Sequence, residues 1–315
     1  MTSLLKMVVV IPTHSRNALL ERTLSSIARA QIPKSLKSVR VVENGGHHGA
    51  TDVVRQFSES LNAEYHYHPI GNKSASLNHV MSDLDDEYVI FLDDDVRIDP
   101  NTLLAYERAI NAQGPPAFFG GPFGCDYERQ PPDWLLDFLP ASARGWSSSS
   151  GSGISPDMPF IGFNWAALAR DIRKIGGFNP DFGPGSKLGA SGQEMDMQTR
   201  LQIAGLKAQY VPDAMVWHCV PASSCSTNWA VQRVYKQGCH LGLMSPRAER
   251  SLYGLPPWII RRALARYLLF LKTRFSSSER DHFLARYRLY ETLGEMKGML
   301  QRHNKPIDEY ASRSK

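Results

Sequence analysis

Residues 87–95 read EYVIFLDDD, an apolar run that ends in three consecutive aspartates. A short run of aromatic and branched residues is typical of a buried strand. Three adjacent carboxylates repel one another, by roughly 1–4 kcal/mol for each pair at exposed or half-exposed spacing. A divalent cation removes that repulsion, because carboxylate oxygens suit hard ions such as Mg²⁺ and Mn²⁺. The stretch therefore predicts a strand that ends in a cation-binding D-x-D pair, and the alternative is a solvated, helix-capping turn.

Strand-like and helix-like segments alternate on the amino-terminal side of this run. Residues 7–12 and 39–43 are rich in valine and isoleucine, whereas residues 16–31 repeat apolar side chains at helical spacing. A further helix, a short strand at 63–70 and another helix precede the aspartates. This order predicts right-handed βαβ units, and hence an α/β fold with a doubly wound, mainly parallel sheet flanked by helices.

Polar residues follow three of the predicted strands, at residues 12–13, 43–44 and 93–95. In doubly wound sheets, ligands bind beyond the carboxyl ends of the strands. The Glu-Asn step at 43–44 alone also fits ordinary turn chemistry. Together, the three groups predict one ligand site at one edge of the sheet.

The middle of the chain is less regular. Residues 146–156 (WSSSSGSGISP) are small and polar, which is typical either of a mobile loop over a site or of a surface linker. A glycine-rich loop at 183–192 leads into a helix that starts near Glu194. Residues 208–220 (AQYVPDAMVWHCV) are predicted to form a pair of strands.

Composition and charge restrict the class of protein. The chain has 315 residues, of which 42% are hydrophobic and 21% are charged, as in an ordinary globular protein. Four cysteines without a C-x-x-C pair predict reduced thiols in a cytoplasmic protein. Neither a signal peptide nor a membrane-spanning helix is expected.

The carboxyl-terminal part is predicted to be helical, and it is strongly basic. Residues 256–275 carry five basic residues and no acid, which indicates an acidic partner surface, nucleic acid or anionic lipid. One interpretation of the helix at 257–275 is a basic amphipathic helix that lies on a membrane surface. The alternatives are packing on the catalytic domain or a dimer contact, with the arginines solvated.

Several short motifs occur in a specific order between residues 6 and 245. In that order and spacing the chain resembles a family 2 glycosyltransferase, an inverting enzyme with the GT-A fold. The motifs are VVVIPTHSRNALLERTLSSI, VRVVENGG, GNKSASLN, VIFLDDDVRIDP, GFNWAALARDIRKIGGFNPDFG, SGQEMDMQTRLQIAGL and YVPDAMVWHCVP.

This resemblance implies a domain division and a reaction. Residues 1–245 would be the GT-A catalytic domain, with a nucleotide-binding half (1–100) and an acceptor half (101–245), and residues 246–315 a helical extension. The enzyme would transfer a sugar from a nucleotide sugar, by default a UDP-sugar, to a glycan or lipid-linked hydroxyl. It would use Mn²⁺ or Mg²⁺ and bind no nucleic acid. The localisation implied is cytoplasmic, with or without peripheral contact at the inner face of an anionic membrane.

The resemblance also implies roles for individual donor-site residues. An acid at the position of Glu43 commonly meets the base, Lys73 approaches the diphosphate and Asp94 contacts the ribose. Many members carry an arginine two residues before Asn78, where this chain has Ser76. The implied nucleotide-binding residues are Pro12, Thr13, Glu43, Asn44, Lys73, Asp93 and Asp94.

For the metal, the resemblance implies Asp95 as the most direct ligand, together with Asp93 and His218. A neutral imidazole binds Mn²⁺ well, so the chemistry of this set is sound. Without the family context, His218 reads as a histidine packed within a strand.

Inverting transfer needs a base for the acceptor hydroxyl, and a carboxylate opposite the leaving diphosphate can take that proton. By position this is Glu194, although Gln193 replaces the acid that usually precedes it. Asp196 is the alternative, but two residues further along a helix it points about 200° away. Acceptor candidates are the segment 163–165 (Phe-Asn-Trp), the loop 183–192 and Trp217.

Other protein classes also fit parts of the pattern. A haloacid-dehalogenase-like phosphatase carries D-x-D after an apolar strand, but normally on its first strand. A nucleotidyltransferase requires a glycine-rich basic loop after the first strand, which PTHSRN is not. A catalytically degenerate carbohydrate-binding relative would account for Gln193, but it leaves Asp93, Asp95, Glu194 and His218 unexplained.

Overall fold

The computed structural model describes residues 5–146, 160–186, 192–245, 251, 254–276 and 278–303. Residues within the chain form two compact units. The first unit comprises Met1–Asp126 and Arg144–Cys219, and the second comprises Tyr127–Ala143 and Val220–Lys315. Most of the polar loop expected at 146–156, and part of the glycine-rich loop at 183–192, lie outside the described residues.

The strands of the described residues form two sheets. A seven-stranded sheet has the order β3-β2-β1-β4-β8-β6-β9, and a three-stranded sheet has the order β5-β10-β7. The strands are β1 (Met7–Thr13), β2 (Leu36–Asn44), β3 (Ala63–His68), β4 (Tyr88–Phe91), β5 (Val96–Ile98), β6 (Ala117–Gly120), β7 (Phe123–Tyr127), β8 (Trp165–Leu168), β9 (Lys207–Tyr210) and β10 (Val216–Val220).

The helices cover the faces of the large sheet and make up most of the second unit. In chain order the α-helices are α1 (Asn17–Ala28), α2 (Ala50–Arg55), α3 (Ser58–Leu61), α4 (Lys73–Val80), α5 (Thr102–Gln113), α6 (Asp133–Leu136), α7 (Ala169–Lys174), α8 (Gln193–Ile203), α9 (Thr227–Met244), α10 (Pro257–Ser276) and α11 (Glu279–His303).

The large sheet is mainly parallel, which confirms the predicted doubly wound fold. Strands β3, β2, β1 and β4 are parallel to one another, β8 is antiparallel to both of its neighbours, and β9 is parallel to β6. In register, Thr13 lies beside Glu43, and Asn44 lies beside His68. The carboxyl ends of these strands therefore meet at one edge, as the sequence predicts.

The central strand β1 is buried on both faces, because helices cover both sides of the sheet. Val9 and Ile11 belong to one hydrophobic cluster, and Val8 and Val10 belong to the other. A parallel strand covered on both sides has no solvent face and therefore no polar alternation. This explains why residues 7–11 read as an unbroken apolar run.

The predicted strand pair at 208–220 is wrong in one respect. Both strands exist, but β9 lies in the large sheet beside β6, and β10 lies in the small sheet beside β5. Buried Ala214 lies between them, and its carbonyl oxygen accepts a hydrogen bond from Asn164. A tertiary contact, rather than a hairpin turn, thus sets the path of the chain between β9 and β10.

In the second unit, helices α9 and α11 pack closely through glycines. Gly238 and Gly242 on α9 face Gly294 and Gly298 on α11. A Cβ atom added at any of the four would lie 2.0–2.3 Å from a carbonyl oxygen of the opposite helix. Only residues without a side chain allow the two backbones to approach this closely.

The helical region begins before the predicted boundary at residue 246, because α9 starts at Thr227. The functional division into 1–100, 101–245 and 246–315 stays a prediction. Within the described ranges, no helix combines the length and hydropathy needed to cross a membrane.

We expect Gly298→Ala to destabilise the second unit. The new methyl group would meet the carbonyl oxygen of Cys239, and overpacking of this kind costs about 1–3 kcal/mol. This outweighs the roughly 1 kcal/mol that alanine gains over glycine in a helix. Urea unfolding, monitored by the helical circular dichroism signal, should show a lower midpoint urea concentration than for the unaltered protein.

The matched control is Gln237→Ala, an exposed position beside Gly238 on α9. It should change stability by less than about 0.5 kcal/mol. An unchanged urea midpoint for Gly298→Ala would contradict the prediction. It would mean that α9 and α11 can move apart to accommodate the methyl group without loss of stability.

Candidate active site

A cavity of about 370 Å³ lies at the carboxyl edge of the large sheet, within the first unit. It is bounded by the ends of β1, β2 and β4 and by the loops that follow them. A nucleotide-binding cleft of an α/β protein occupies the same place. The residues that line the cavity are Pro12, Thr13, His14, Arg16, Asn44, Gly71, Lys73, Asp93, Asp94, Pro184 and Gly185.

Asp94 is the buried member of the aspartate triplet. The Thr13 hydroxyl donates a hydrogen bond to its Oδ2 at 2.7 Å, and Arg16 Nη1 lies 3.3 Å from its Oδ1. Burial raises the pKa of Asp94 to about 6, although the Thr13 hydrogen bond and the Arg16 charge act in the opposite direction. Asp94 thus lines the cavity and binds Thr13 and Arg16, and its predicted ribose contact stays a prediction.

Asp95 lies next to His218. Its Oδ2 is 3.6 Å from His218 Nε2 and accepts a 2.9 Å hydrogen bond from Arg16. Burial alone would raise the pKa of Asp95, but the hydrogen bond and charge of His218, with the charges of Arg16 and Lys73, hold it below its ordinary value. The carboxylate is therefore ionised at neutral pH.

The donor atoms at Asp95 and His218 fit a divalent cation. Asp95 Oδ1 is buried and has no hydrogen-bond partner among the described residues. Such an atom is costly unless a ligand satisfies it. The His218 ring is oriented by stacking on Phe163, with ring centroids 4.9 Å apart and planes 11° apart. A carboxylate oxygen and an imidazole nitrogen suit Mn²⁺.

Asp93 does not join this pair in the structure. Its Oδ1 accepts a 2.5 Å hydrogen bond from Lys73 Nζ. Burial alone would lower the pKa of Lys73, but the charge and hydrogen bond of Asp93 raise it above the ordinary value. Among the described residues, no three histidine, cysteine or acidic side chains are grouped as metal ligands.

Lys73 reaches the cavity because it is the first residue of α4. The Asn72 side chain caps this helix by accepting a 2.9 Å hydrogen bond from the Ala75 amide. A lysine at this point lies beside the positive end of the helix dipole, where anions bind. Lys73 thus lines the cavity, and its predicted contact with a diphosphate stays a prediction.

Glu43 is the predicted base contact, and the structure places its side chain away from the cavity. Its Oε1 accepts hydrogen bonds from the amides of His48 (2.8 Å) and Ala50 (3.4 Å). Its Oε2 accepts a 2.7 Å hydrogen bond from the Tyr65 hydroxyl. Oε1 therefore orders the loop after β2, Oε2 is held by Tyr65 of β3, and neighbouring Asn44 lines the cavity.

Glu194 lies beside the donor cavity, at the start of α8. It lines a small second cavity together with Pro12, Lys73 and Asp93, three residues that also line the first. Across this small cavity, Gly162 approaches the carboxylate so closely that an added Cβ would lie 3.1 Å from Glu194 Cδ. The structure thus brings Glu194 to the edge of the predicted donor site.

Two neighbours of Glu194, namely Gln193 and the alternative base Asp196, have structural partners. Gln193 is buried, and its Oε1 accepts a 3.0 Å hydrogen bond from the Ser74 hydroxyl. Asp196 accepts hydrogen bonds from Arg200 at 2.6 and 3.0 Å, and Arg200 also binds two carbonyl oxygens. Asp196 is therefore held in an ion pair on another side of the helix.

The side chains of residues 163–165, expected as acceptor contacts, are all buried, although Trp165 lines the small cavity together with Glu194. Asn164 accepts a hydrogen bond from Tyr106 and donates to the carbonyls of Pro122 and Ala214. Trp165 stacks on Phe91, with ring centroids 4.5 Å apart. Trp217 is half-buried, with the Arg97 guanidinium 4.0 Å from its ring centroid, and it stays a candidate.

Sequence reasoning missed Arg16, which lies in the loop after β1. Its Nη1 contacts both Asp94 and Asp95, and its side chain is 53% exposed. This arginine supplies a cation at the cavity of a chain that lacks the arginine usually found near Asn78. The available signal was its position, because the loop after β1 opens at the same edge as the aspartates.

Gly185 closes the cavity where two loops approach each other. An added Cβ would lie 1.9 Å from the carbonyl oxygen of Gly71, and the backbone φ of Gly185 is +79°. Both facts require glycine here. The part of the glycine-rich loop that the structure describes therefore packs on the loop before α4.

Known proteins with related sequences allow a family assignment. The family model described as Glycosyl transferase family 2 matches residues 8–174, which is more than half of the chain. This chain belongs to glycosyltransferase family 2. The matched segment contains β1, the aspartate triplet and Lys73.

Two relatives of this chain are named after glycosyl transfer or polysaccharide synthesis. A validoxylamine A glucosyltransferase of Streptomyces hygroscopicus subsp. limoneus is 26% identical over 225 residues, covering 63% of this chain and 48% of the relative. The chain thus spans about half the length of that relative. The succinoglycan biosynthesis protein ExoM of Rhizobium meliloti is 25% identical over 246 residues, covering 75% of this chain and 74% of the relative.

Solved structures confirm the predicted GT-A fold. A mannosyltransferase from Pyrobaculum calidifontis, in complex with GDP-Man and Mn²⁺, aligns with 96% of this chain and 88% of its own. Its TM-score is 0.55 and its sequence identity is 19%. Residues 1–349 of S. aureus TarS, in complex with UDP-GlcNAc, align with 95% of this chain and 93% of their own. Their TM-score is 0.53 and the identity is 12%.

We expect Gln193→Glu, which restores an acid at the usual family position, to destabilise this protein at neutral pH. The new carboxylate would be buried at a position that is 3% exposed, with Ser74 as its donor, at a cost of about 2–4 kcal/mol. Burial raises the folded-state pKa of such a group above its unfolded value. The deficit should therefore be greatest above that raised pKa and should disappear as the pH falls below about 4, near the unfolded pKa.

Thermal unfolding between pH 4 and pH 8 measures this effect. The control is Gln113→Glu at an exposed position of α5, which should show no such pH dependence. Equal melting temperatures for Gln193→Glu and the unaltered protein at pH 8 would contradict the buried hydrogen-bonding role of Gln193.

Proposed function

We propose that the protein is a metal-dependent, inverting glycosyltransferase that uses a nucleotide sugar as donor. The observation that carries the proposal is the cavity at the sheet edge, where Lys73 and Arg16 lie beside the aspartate triplet. Family membership supports the same reaction class. The acceptor we propose is a hydroxyl of a glycan or of a lipid-linked sugar.

The cavity suits a nucleoside diphosphate. Its two cationic side chains, Lys73 and Arg16, match the negative charge of a diphosphate, and arginine can bind two phosphate oxygens at once. Asn44 and Thr13 are polar groups on the adjoining strand ends, where the nucleoside would lie. UDP remains the nucleotide that we propose first, although the buried Glu43 gives no base-specific contact in this structure.

Asp95 and His218 are the residues that we propose to hold the divalent cation. When bound, the cation would neutralise charge that develops on the departing diphosphate. Asp93 and Lys73 would contribute from the neighbouring ion pair, because Lys73 can exchange a carboxylate for a phosphate oxygen at the same position. The Mn²⁺ and GDP-Man bound by the P. calidifontis mannosyltransferase are consistent with this proposal.

Glu194 is the proposed base. It lies at the border of the donor cavity, whereas Gln193 and Asp196 have structural partners. A carboxylate there would accept the proton of the acceptor hydroxyl, and that oxygen would form a bond to the anomeric carbon as the bond to the diphosphate breaks. The sugar would then be transferred with inversion of configuration.

The acceptor class is proposed from related proteins and from the cavity. ExoM is named for the biosynthesis of succinoglycan, a relationship that favours a glycan under assembly. Among the acceptor candidates from the sequence, the exposed part of the loop 183–192 and Trp217 remain.

A thermal-shift panel of uridine, guanosine and thymidine diphosphates and their sugars tests the donor and the metal together. We expect one nucleotide with Mn²⁺ to raise the melting temperature by about 5 °C at roughly 100 times its dissociation constant. Asp95→Asn and His218→Gln should lose the part of the shift that depends on Mn²⁺. No shift with any nucleotide in the presence of Mn²⁺ would refute the proposed function.

The control for the metal variants is Asp52→Asn, which removes a carboxylate that is 77% exposed and does not line the cavity. It should keep the full shift. A loss of the Mn²⁺ effect in this control would mean that the cation acts through general surface charge.

For Glu194→Gln we expect transfer to fall by about 100-fold to 10,000-fold, as for removal of a general base. Nucleotide affinity, measured by calorimetry, should stay near normal. Asp196→Asn is the matched control, because it removes the neighbouring acid of the same helix and leaves the proposed base in place. Reduced nucleotide affinity in Glu194→Gln would instead assign Glu194 to the donor site.

A further inference from the structure

Helix α10 carries an unusual outward face. Large apolar side chains project from it into solvent, and the most exposed is Phe275 at 85%. Leu264 and Leu268 are 60% and 57% exposed. Residues at spacings of four and seven share one side of a helix, so these three form a single apolar stripe. We call this stripe, with its flanking basic residues, the α10 face.

The charges at the α10 face are all positive. Arg261, Lys272 and Arg274 are exposed, and the helix Pro257–Ser276 contains no acidic residue. Arg261 and Lys272 lie within one turn of Leu264 and Leu268 respectively, on the same side of the helix. An apolar stripe bordered by cations is the composition of a helix that lies in a membrane interface.

The other basic residues of α10 have a structural role and do not belong to this face. Arg266 contacts Glu291 at 2.9 Å, and Arg262 forms an ion pair with Glu295. Both acids lie on α11, against which the opposite side of α10 packs. The inward arginines of α10 thus pair with acids of α11, whereas Arg261, Lys272 and Arg274 lie beside the apolar stripe.

Aromatic residues with polar groups also border the face. Trp258 is 49% exposed and Tyr267 is 47% exposed. Tryptophan and tyrosine favour the boundary between headgroups and acyl chains, because one end of each ring system is apolar and the other is wet. Their positions, near the start and in the middle of α10, extend the surface along the helix.

We propose that the α10 face docks on an anionic lipid bilayer. Its apolar side chains would enter the boundary of the acyl chains, and Arg261, Lys272 and Arg274 would contact phosphate groups of the lipids. A second copy of the chain fits less well. Symmetric pairing of this face would bring like charges together, and α10 offers no acid to pair them. The proposal concerns the second unit and is independent of the proposed transferase reaction.

Sedimentation with phospholipid vesicles tests the docking. The full chain should bind vesicles that contain phosphatidylglycerol at low salt, bind vesicles of phosphatidylcholine alone much more weakly, and dissociate as salt is raised. Absence of binding to the anionic vesicles at low salt would overturn the proposal. Equal binding to both vesicle types would also overturn it.

Two sets of variants separate the apolar and the charged contributions. Arg261→Gln with Arg274→Gln should weaken binding about 25-fold, since each cation near an anionic surface contributes about fivefold. Leu264→Ser, Leu268→Ser and Phe275→Ser together should abolish binding. The controls are Arg29→Gln with Lys34→Gln, and Ile203→Ser, which change exposed residues of the first unit. Controls that lose as much binding as the α10 variants would refute the assigned surface.

Light scattering tests the competing occupant. The unaltered chain and the triple serine variant should have the same molecular mass in solution at all concentrations. A dimer that disappears in the triple variant, without vesicle binding by the unaltered chain, would assign the α10 face to self-association. Circular dichroism should show equal helix content in all variants, because the altered side chains are exposed.

Discussion

The structure of the proposed donor site depends on how the charges of three adjacent carboxylates are compensated. Each aspartate after β4 has a different partner: Lys73 for Asp93, Thr13 for Asp94, and His218 for Asp95, with Arg16 between the last two. These partners come from three places in the chain: the end of β1 with the loop after it, the start of α4, and β10. Compensating the repulsion within the triplet therefore requires these three segments to lie near the end of β4, so that the electrostatics of the site and the topology of the sheet depend on each other.

The sequence predicted best where local pattern and tertiary environment agree. The buried strands β1, β2 and β4 read directly as apolar runs, and the aspartates marked the edge where ligands bind. Strands β6 and β7 were missed, because residues 117–127 contain three glycines and a proline that favour turns. There the surroundings determine the strand: a Cβ at Gly120 or Gly121 would lie 2.0–2.1 Å from Phe160 or from the Ala214 carbonyl.

Side-chain direction was the part of the site that sequence could not predict. Glu43 and Asn164 have the residue types of ligand contacts, but both are buried: Glu43 is hydrogen-bonded to the loop after its own strand and to Tyr65, and Asn164 to the carbonyls of Pro122 and Ala214. Arg16 is the opposite case. Its residue type and local sequence predict no ligand contact, yet its Nη1 lies 2.9 Å from Asp95 Oδ2. Pattern reasoning identifies the edge of a sheet, whereas rotamers and loop paths decide which residues reach the ligand.

The ion pairs of Arg16 and Lys73 have a consequence for the order of binding. Without ligand, two cations already compensate the aspartates, so a lone divalent ion meets little uncompensated negative charge. A diphosphate that attracts Arg16 and Lys73 would uncover the carboxylates for the ion, and the ion would in turn favour the diphosphate. Such reciprocity is thermodynamic linkage: each ligand raises the affinity for the other by the same factor. The proposed donor site would then bind nucleotide and metal cooperatively, with high affinity for the two together and low affinity for either one alone.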